Sequence, residues 1–151
     1  MSKKVDANID MSYDTALVTI RNVPNDIRLV RDIFTSIADE NINVQMITKT
    51  PPHKGHVNIF FCLPSENLFR ALVAINRYKS RAKDLLIEVD AYSTKVSVSS
   101  EEKKNSSGFA ADLFSALADE GIDIKLATSS ESEVACLISE CDSYKVASLI
   151  K

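Results

Sequence analysis

Tryptophan is absent from the 151 residues, and glycine occurs only three times, at Gly55, Gly108 and Gly121. A phosphate-binding loop needs closely spaced glycines so that backbone N–H groups can approach the anion, and no two of these lie near enough to form one. A nucleotide-dependent catalytic domain is therefore not expected in this stretch. Histidine is equally scarce: His53 and His56 share one short segment. No nucleophile elbow accompanies them, so Ser-His-Asp chemistry is not expected. The pair could touch a metal, but without a third ligand nearby they read as solvated turn histidines, with no metal or cofactor.

Long hydrophobic runs are missing too. No stretch of about 18 apolar residues could cross a membrane, and Met1-Ser2-Lys3-Lys4-Val5-Asp6 is not followed by a signal-peptide core. Cysteine numbers three, at Cys62, Cys136 and Cys141, without a CxxC pair. Cys62 and Cys136 lie in apolar, strand-like runs, which suits reduced core thiols and a cytoplasmic location. A block of positive charge is likewise missing: 18 Lys and Arg mix with 21 Asp and Glu for a net charge of −3. Nucleic acid and membrane are poor partners for such a surface, and Glu101-Glu102-Lys103-Lys104 reads as a mixed, solvated loop. What remains is an ordinary globular chain, 45% hydrophobic, able to bury a core.

A repeat organises it. Phe34-Thr35-Ser36-Ile37-Ala38-Asp39-Glu40-Asn41-Ile42-Asn43-Val44 recurs 80 residues on as Phe114-Ser115-Ala116-Leu117-Ala118-Asp119-Glu120-Gly121-Ile122-Asp123-Ile124. Val18-Thr19-Ile20 recurs 78 residues on as Val96-Ser97-Val98, so the loop that follows is two residues longer in the second copy. Self-similarity on this scale indicates two modules of one fold.

Periodicity reads each copy in the same order. Ala16 to Arg21 and Thr94 to Ser99 are β-branched and strand-like. Leu29, Val30, Ile33, Phe34 and Ile37, and in the second copy Phe109, Leu113, Phe114 and Leu117, fall at helical spacing. Asn41 and Gly121 stand where a left-handed residue closes a helix. Strands over Ile42 to Lys49 and Val57 to Leu63, and over Ile122 to Thr128 and Val134 to Ser139, are joined by turn-rich segments as hairpins. Pro64-Ser65-Glu66-Asn67 starts a second helix, and Lys83 to Asp90 forms a last strand. The fold class is α+β: a ferredoxin-like βαββαβ module over 14–90, with an antiparallel sheet and helices on one face, and a second module over 91–151.

The second copy ends after a helix marked by Asp142, Tyr144, Val146 and Leu149, with no strand left. Val5, Ala7 and Ile9 alternate with Asp6, Asn8 and Asp10 ahead of the first module, and the segment 4–12 is expected to supply that missing strand.

The segment Ile33-Phe34-x-x-Ile37-Ala38-x-Glu40-x-Ile42-Asn43-Val44-x-Met46-Ile47 resembles the first ACT domain of aspartokinases. Gly108-Phe109-Ala110-Ala111-Asp112-Leu113-Phe114 through Ile122-Asp123-Ile124 and Thr128-Ser129-Ser130-Glu131 resembles the second. The resemblance covers nearly the whole chain and implies a non-catalytic regulatory part that pairs its modules side by side in a homodimer. It also implies a free amino acid effector, lysine or threonine, at the module interface, and an aspartokinase catalytic chain as a possible partner. In the family, too, an N-terminal strand completes the second ACT domain.

Carried over by position, the effector residues of the first module are Asn25, Asp26 and Ile27 in the loop, with Asn43, Gln45 and Met46 on the neighbouring strand. Those of the second are Ser106, Ser107, Gly108 and Phe109 at the helix start, with Asp123 and with Ser129, Ser130 and Glu131 at the hairpin. Helix-start N–H groups would take the effector's carboxylate, and side-chain carboxylates such as Asp123 and Glu131 its ammonium. The family's Asp-x-Pro-Gly turn is replaced here by Asn25-Asp26-Ile27-Arg28, while Gly108 is kept, so the second module is the expected binder. The alternative is a ligand-free ACT-type dimerisation platform. An RNA-binding reading of the ferredoxin-like units lacks the exposed aromatic pairs and basic surface it would need.

Overall fold

The computed structural model describes residues 8–99 and 108–149. The chain divides into two compact units, Thr15–Ala91 and a second that joins the start of the chain, through Asp14, to Tyr92 onward. Along the chain run β1 (Asn8–Pro24), α1 (Ile27–Asp39), β2 (Gln45–Lys49), β3 (His56–Pro64), α2 (Leu68–Asn76), β4 (Leu86–Ser99), α3 (Phe109–Asp119), β5 (Ile124–Ser129), β6 (Glu133–Ser139) and the single-turn α4 (Ser143–Val146).

In the first unit the strands lie in the order β2-β3-β1-β4. β1 and β3 are antiparallel, with Val18 opposite Phe61 and Ile20 opposite Ile59. Alternate residues of a strand share one face. Val18 and Ile20, with Val57, Ile59, Phe61 and Leu63, therefore form one apolar surface, and Leu29, Ile33 and Ile37 of α1 and Ala71, Ala74 and Ile75 of α2 close over it. Phe34 meets Phe61 edge-on, ring centroids 5.5 Å apart. Arg77 ties the two helices together, donating to Ser36 Oγ at 3.2 Å and pairing with Glu40 at 3.5 Å. Arg81, beyond α2, donates to Asp32 on α1 at 2.7 Å. That guanidinium, with Arg31 beside it, holds the Asp32 carboxyl below its usual range.

The second unit repeats the plan in the order β1-β4-β6-β5. Val96 and Val98 of β4, Val134, Cys136 and Ile138 of β6, and Phe109, Leu113, Ala116 and Leu117 of α3 form its core. Ile9 and Met11 of β1 pack against that same core. Asp14 donates its backbone N–H to Glu140 at 2.7 Å. The N-terminal strand thus completes the second module, in line with the alternation of apolar residues; Val5 and Ala7 of that pattern lie outside the described residues.

Both helix-closing residues adopt the left-handed conformation, Asn41 at φ 59° and Gly121 at φ 68°. After α3 the Ile122 N–H reaches Leu117 O at 2.9 Å and the Gly121 N–H reaches Ala118 O at 3.0 Å. This double closure satisfies carbonyls that the helix end would leave bare, with Ile122 packed in the core near Leu117.

Four boundaries differ from expectation. The separate strands expected at the chain start and at Ala16 to Arg21 are one 17-residue strand, and those at Lys83 to Asp90 and Thr94 to Ser99 are one 14-residue strand. Each long strand passes from one unit to the other at a left-handed residue, Asp14 at φ 51° and Tyr92 at φ 58°. Such a residue turns a strand without ending it, and a tyrosine there carries no sequence signal. β2 and β5 also begin late, at Gln45 and Ile124. Ile42 and Ile122 are buried in their cores without being part of the ladder. Apolar alternation reports burial, and here it outruns the pairing.

Candidate effector site

The expected effector residues fall at the two ends of each module. Asn25 and Asp26 precede α1 and Ile27 begins it, beside the β2–β3 hairpin, where the Asn25 N–H donates to Gly55 O at 2.9 Å. Asn43, Gln45 and Met46 follow α1, at its other end. Thirteen helical residues separate the two groups, about 20 Å at 1.5 Å per residue. The second module is arranged likewise. Gly108 and Phe109 start α3, and the Ser129-Ser130-Glu131 hairpin lies at the end of the sheet where Ser99 faces Glu133. Asp123 lies beyond the eleven residues of α3, about 17 Å from Gly108 by the same rise. Ser106 and Ser107 lie outside the described residues.

This placement corrects the expected pairing of Asp123 with Glu131. The six residues of β5 separate them, about 20 Å of extended chain. A single amino acid cannot reach both carboxylates within one module.

The two helix starts differ in a way that bears on carboxylate binding. At α1 the Asp26 side chain accepts a hydrogen bond from the Arg28 N–H at 2.9 Å. Its carboxylate already occupies the position that an incoming carboxylate would take, and its charge would repel one. At α3 the capping position is Gly108, φ −93°, with no side-chain cap. A Cβ built on Gly108 would meet nothing within 4 Å. The N–H groups of the first turn thus carry no cap from Gly108, although Asp112 places a negative side chain within that turn. Ile27 at the corresponding start of α1 is 73% exposed.

On the strands, Met46 takes a left-handed φ of 56° where the β2–β3 register shifts between Gln45 and Thr48. The second module shifts at the matching place, between Ile124 and Leu126. There Lys125 reaches Ser93 Oγ at 2.8 Å, a half-buried contact that the residue pattern did not single out. A repeated bulge at the start of the edge strand marks a second shared feature of the two modules. None of the expected residues lines the open cavity of about 460 Å³ in the first unit, which is bounded by Asn22, His56, Lys83, Asp84 and Leu86. Among the described residues no group of three His, Cys, Asp or Glu could hold a metal.

Comparison with known proteins agrees with this architecture. A family model described as "ACT domain" matches residues 96–151. Aspartokinase 2 of Bacillus subtilis (strain 168) is 30% identical over 128 residues, which are 85% of this chain and 31% of that protein. The chain thus spans about a third of the curated relatives it matches. The regulatory subunit of aspartate kinase from Thermus thermophilus superimposes with a TM-score of 0.84 at 19% identity, covering 97% of this chain and 96% of the other. A chain from the crystal structure of aspartokinase alpha and beta subunits gives 0.82 at 26% identity, with 96% and 95% covered. The chain resembles the tandem-ACT regulatory region of aspartokinases. Among the solved chains covered nearly end to end is one described as a regulatory subunit of aspartate kinase, and the matched stretch is about a third of the curated aspartokinases. Among the described residues no helix is long and apolar enough to cross a membrane.

Proposed function

We propose that the chain is a non-catalytic, cytoplasmic amino-acid sensor that works as a side-by-side homodimer and governs an aspartokinase catalytic chain, with lysine or threonine as effector. The observation that carries this reading is the start of α3, uncapped at Gly108, in a fold whose solved counterparts include regulatory subunits of aspartate kinase. Helix-start N–H groups and the helix dipole favour a carboxylate there. The roughly 20 Å between the two ends of a module adds a geometric requirement. If one effector touches both a helix start and the Asn43 or Asp123 end of a module, those residues come from different modules. A two-fold pairing provides that arrangement, since each copy gives its helix start to the other copy's strand start.

The second reading is a ligand-free dimerisation platform, favoured by the Asp26 cap, which closes the α1 counterpart. Calorimetry with lysine and with threonine separates the two, after a thermal-shift screen. A ligand at about 100 times its Kd adds roughly 2.7 kcal/mol. Gly108→Val is expected to abolish binding and Arg28→Ala to leave it intact. A Cβ at Gly108 meets nothing within 4 Å, so the variant is expected to fold, with circular dichroism as the check, and lost binding then reports the site. Binding that survives Gly108→Val, or that is lost in Arg28→Ala alone, moves the effector to the first module. A mass of one chain by light scattering at micromolar concentration refutes the homodimer.

A further inference from the structure

The sequence alone leaves His53 and His56 as solvated turn residues, and the fold adds two facts about them. First, they form a cross-strand pair: the His53 N–H donates to His56 O at 2.8 Å and the His56 N–H to His53 O at 3.0 Å. Lys54 at φ 50° and Gly55 at φ 78° make the two-residue turn between them. This mirror-type turn matches strand twist and holds its flanking residues in register. Residues that exchange both hydrogen bonds lie with Cα atoms about 5.5 Å apart and side chains on the same face. Both histidines are exposed, so both rings are free to approach one ion.

Second, one ring is already set for ligation. His56 Nδ1 lies 3.0 Å from the Lys54 carbonyl oxygen. A carbonyl can only accept, so Nδ1 carries the proton and the neutral ring keeps its lone pair on Nε2. Metal-ligating histidines use this arrangement: the second ring nitrogen donates to a backbone carbonyl or carboxylate, fixing tautomer and orientation.

We propose that the His53–His56 hairpin tip is a two-imidazole chelate for a borderline divalent transition metal, of the Zn²⁺, Ni²⁺ or Cu²⁺ class that imidazole suits. Water completes the coordination, because among the described residues no third His, Cys, Asp or Glu joins the pair. Charged residues around the pair include Lys54 in the turn and Lys83 and Asp84, which line the open cavity with His56. Two ammonium groups against one carboxylate weaken a cation site, so the binding is reversible and does not hold the fold together. The site lies in the first unit and is independent of the proposed effector.

The test is calorimetry with ZnCl₂ and with NiCl₂ at pH 7.5, on the full chain carrying Cys141→Ser to remove the exposed thiol. One ion per chain is expected. His53→Ala and His56→Ala are each expected to lower the affinity at least about tenfold, the smallest loss seen when even an outer-shell partner of a metal is removed. Lys54→Ala leaves the ligands in place and is expected to bind as well or better. Saturable binding unchanged in His53→Ala, no saturable binding in the Cys141→Ser chain, or one ion shared between two chains overturns the proposal. Both histidines are exposed, so circular dichroism is expected to show folded variants throughout.

Discussion

Ile9 and Met11 stand on the inward face of β1 against the second core, while Asn8 and Asp10 between and beside them are exposed. Replacing both Ile9 and Met11 with alanine keeps the strand backbone and removes what it buries, together with the exposed Tyr13 hydroxyl's contact to Met11 Sδ at 3.6 Å. Truncating a fully buried isoleucine or methionine to alanine costs about 2–5 kcal/mol. These two are half-buried, so about 1–2 kcal/mol each is expected, or about 2–4 for the pair if the two sites add. Against a typical total of about 5–15 kcal/mol this is a large share. With a urea slope of about 2 kcal/mol/M, the middle of the usual range, the unfolding midpoint of the second unit is expected to fall by about 1–2 M. A chain of two units need not unfold in one step, so segment-resolved hydrogen exchange is the better probe. Faster exchange is expected in α3 and β6, with α1 and β3 little changed. Asn8→Ala with Asp10→Ala on the outer face is the control, expected to stay within about 0.5 kcal/mol of the parent. Equal effects from the inner and outer pairs, or exchange in α3 and β6 that does not move, would refute the strand's role in completing the module.

Two further outcomes follow from single residues. Gly121→Ala forces a Cβ into the left-handed conformation at φ 68°, and a loss of about 1–2 kcal/mol is expected in chemical denaturation. Burial pushes the Cys136 thiol from about 9 up to about 11. Below the lower value both folded and unfolded thiols are protonated, and between the two only the unfolded one ionises, so the stabilising contribution is present at neutral pH and lost as pH rises through that window. Denaturation midpoints measured from pH 8 upward are expected to fall less steeply in Cys136→Ala, even though that variant is less stable overall.

The sequence was most informative where one residue's chemistry has one structural use. Asn41 and Gly121 both proved to be left-handed helix closures. The absent last strand in the second copy, set beside the alternation ending at Ile9, located β1 against the second core. It was least informative where geometry depends on distance through space. Asp123 and Glu131 are eight residues apart and read as one acidic group, but β5 holds them at opposite ends. The joining of four expected strands into two was hidden because Asp14 and Tyr92, the residues that bend them, are neither glycine nor asparagine. The capping of α1 by Asp26 was legible in residue type but not in consequence, since only the 2.9 Å bond to Arg28 shows that the helix start is filled.

The two copies keep the same core and differ where a ligand would be read. Val18, Ile20, Ile33 and Ile37 have their counterparts in Val96, Val98, Leu113 and Leu117, buried in the same way. At the helix starts one copy has the Asp26 carboxylate accepting a hydrogen bond from the Arg28 N–H, and the other has Gly108 with no side chain to accept one. A carboxylate ligand therefore has to displace a covalently tethered competitor in the first copy, whose effective concentration exceeds that of a dissolved amino acid. In the second copy Gly108 supplies no such tether. On the proposed reading, duplication separates the tasks: the capped module contributes fold and assembly surface, and the uncapped module answers to the effector. Exchanging the two caps, with Asp26→Gly and Gly108→Asp in one chain, is expected to move amino-acid binding from the second module to the first.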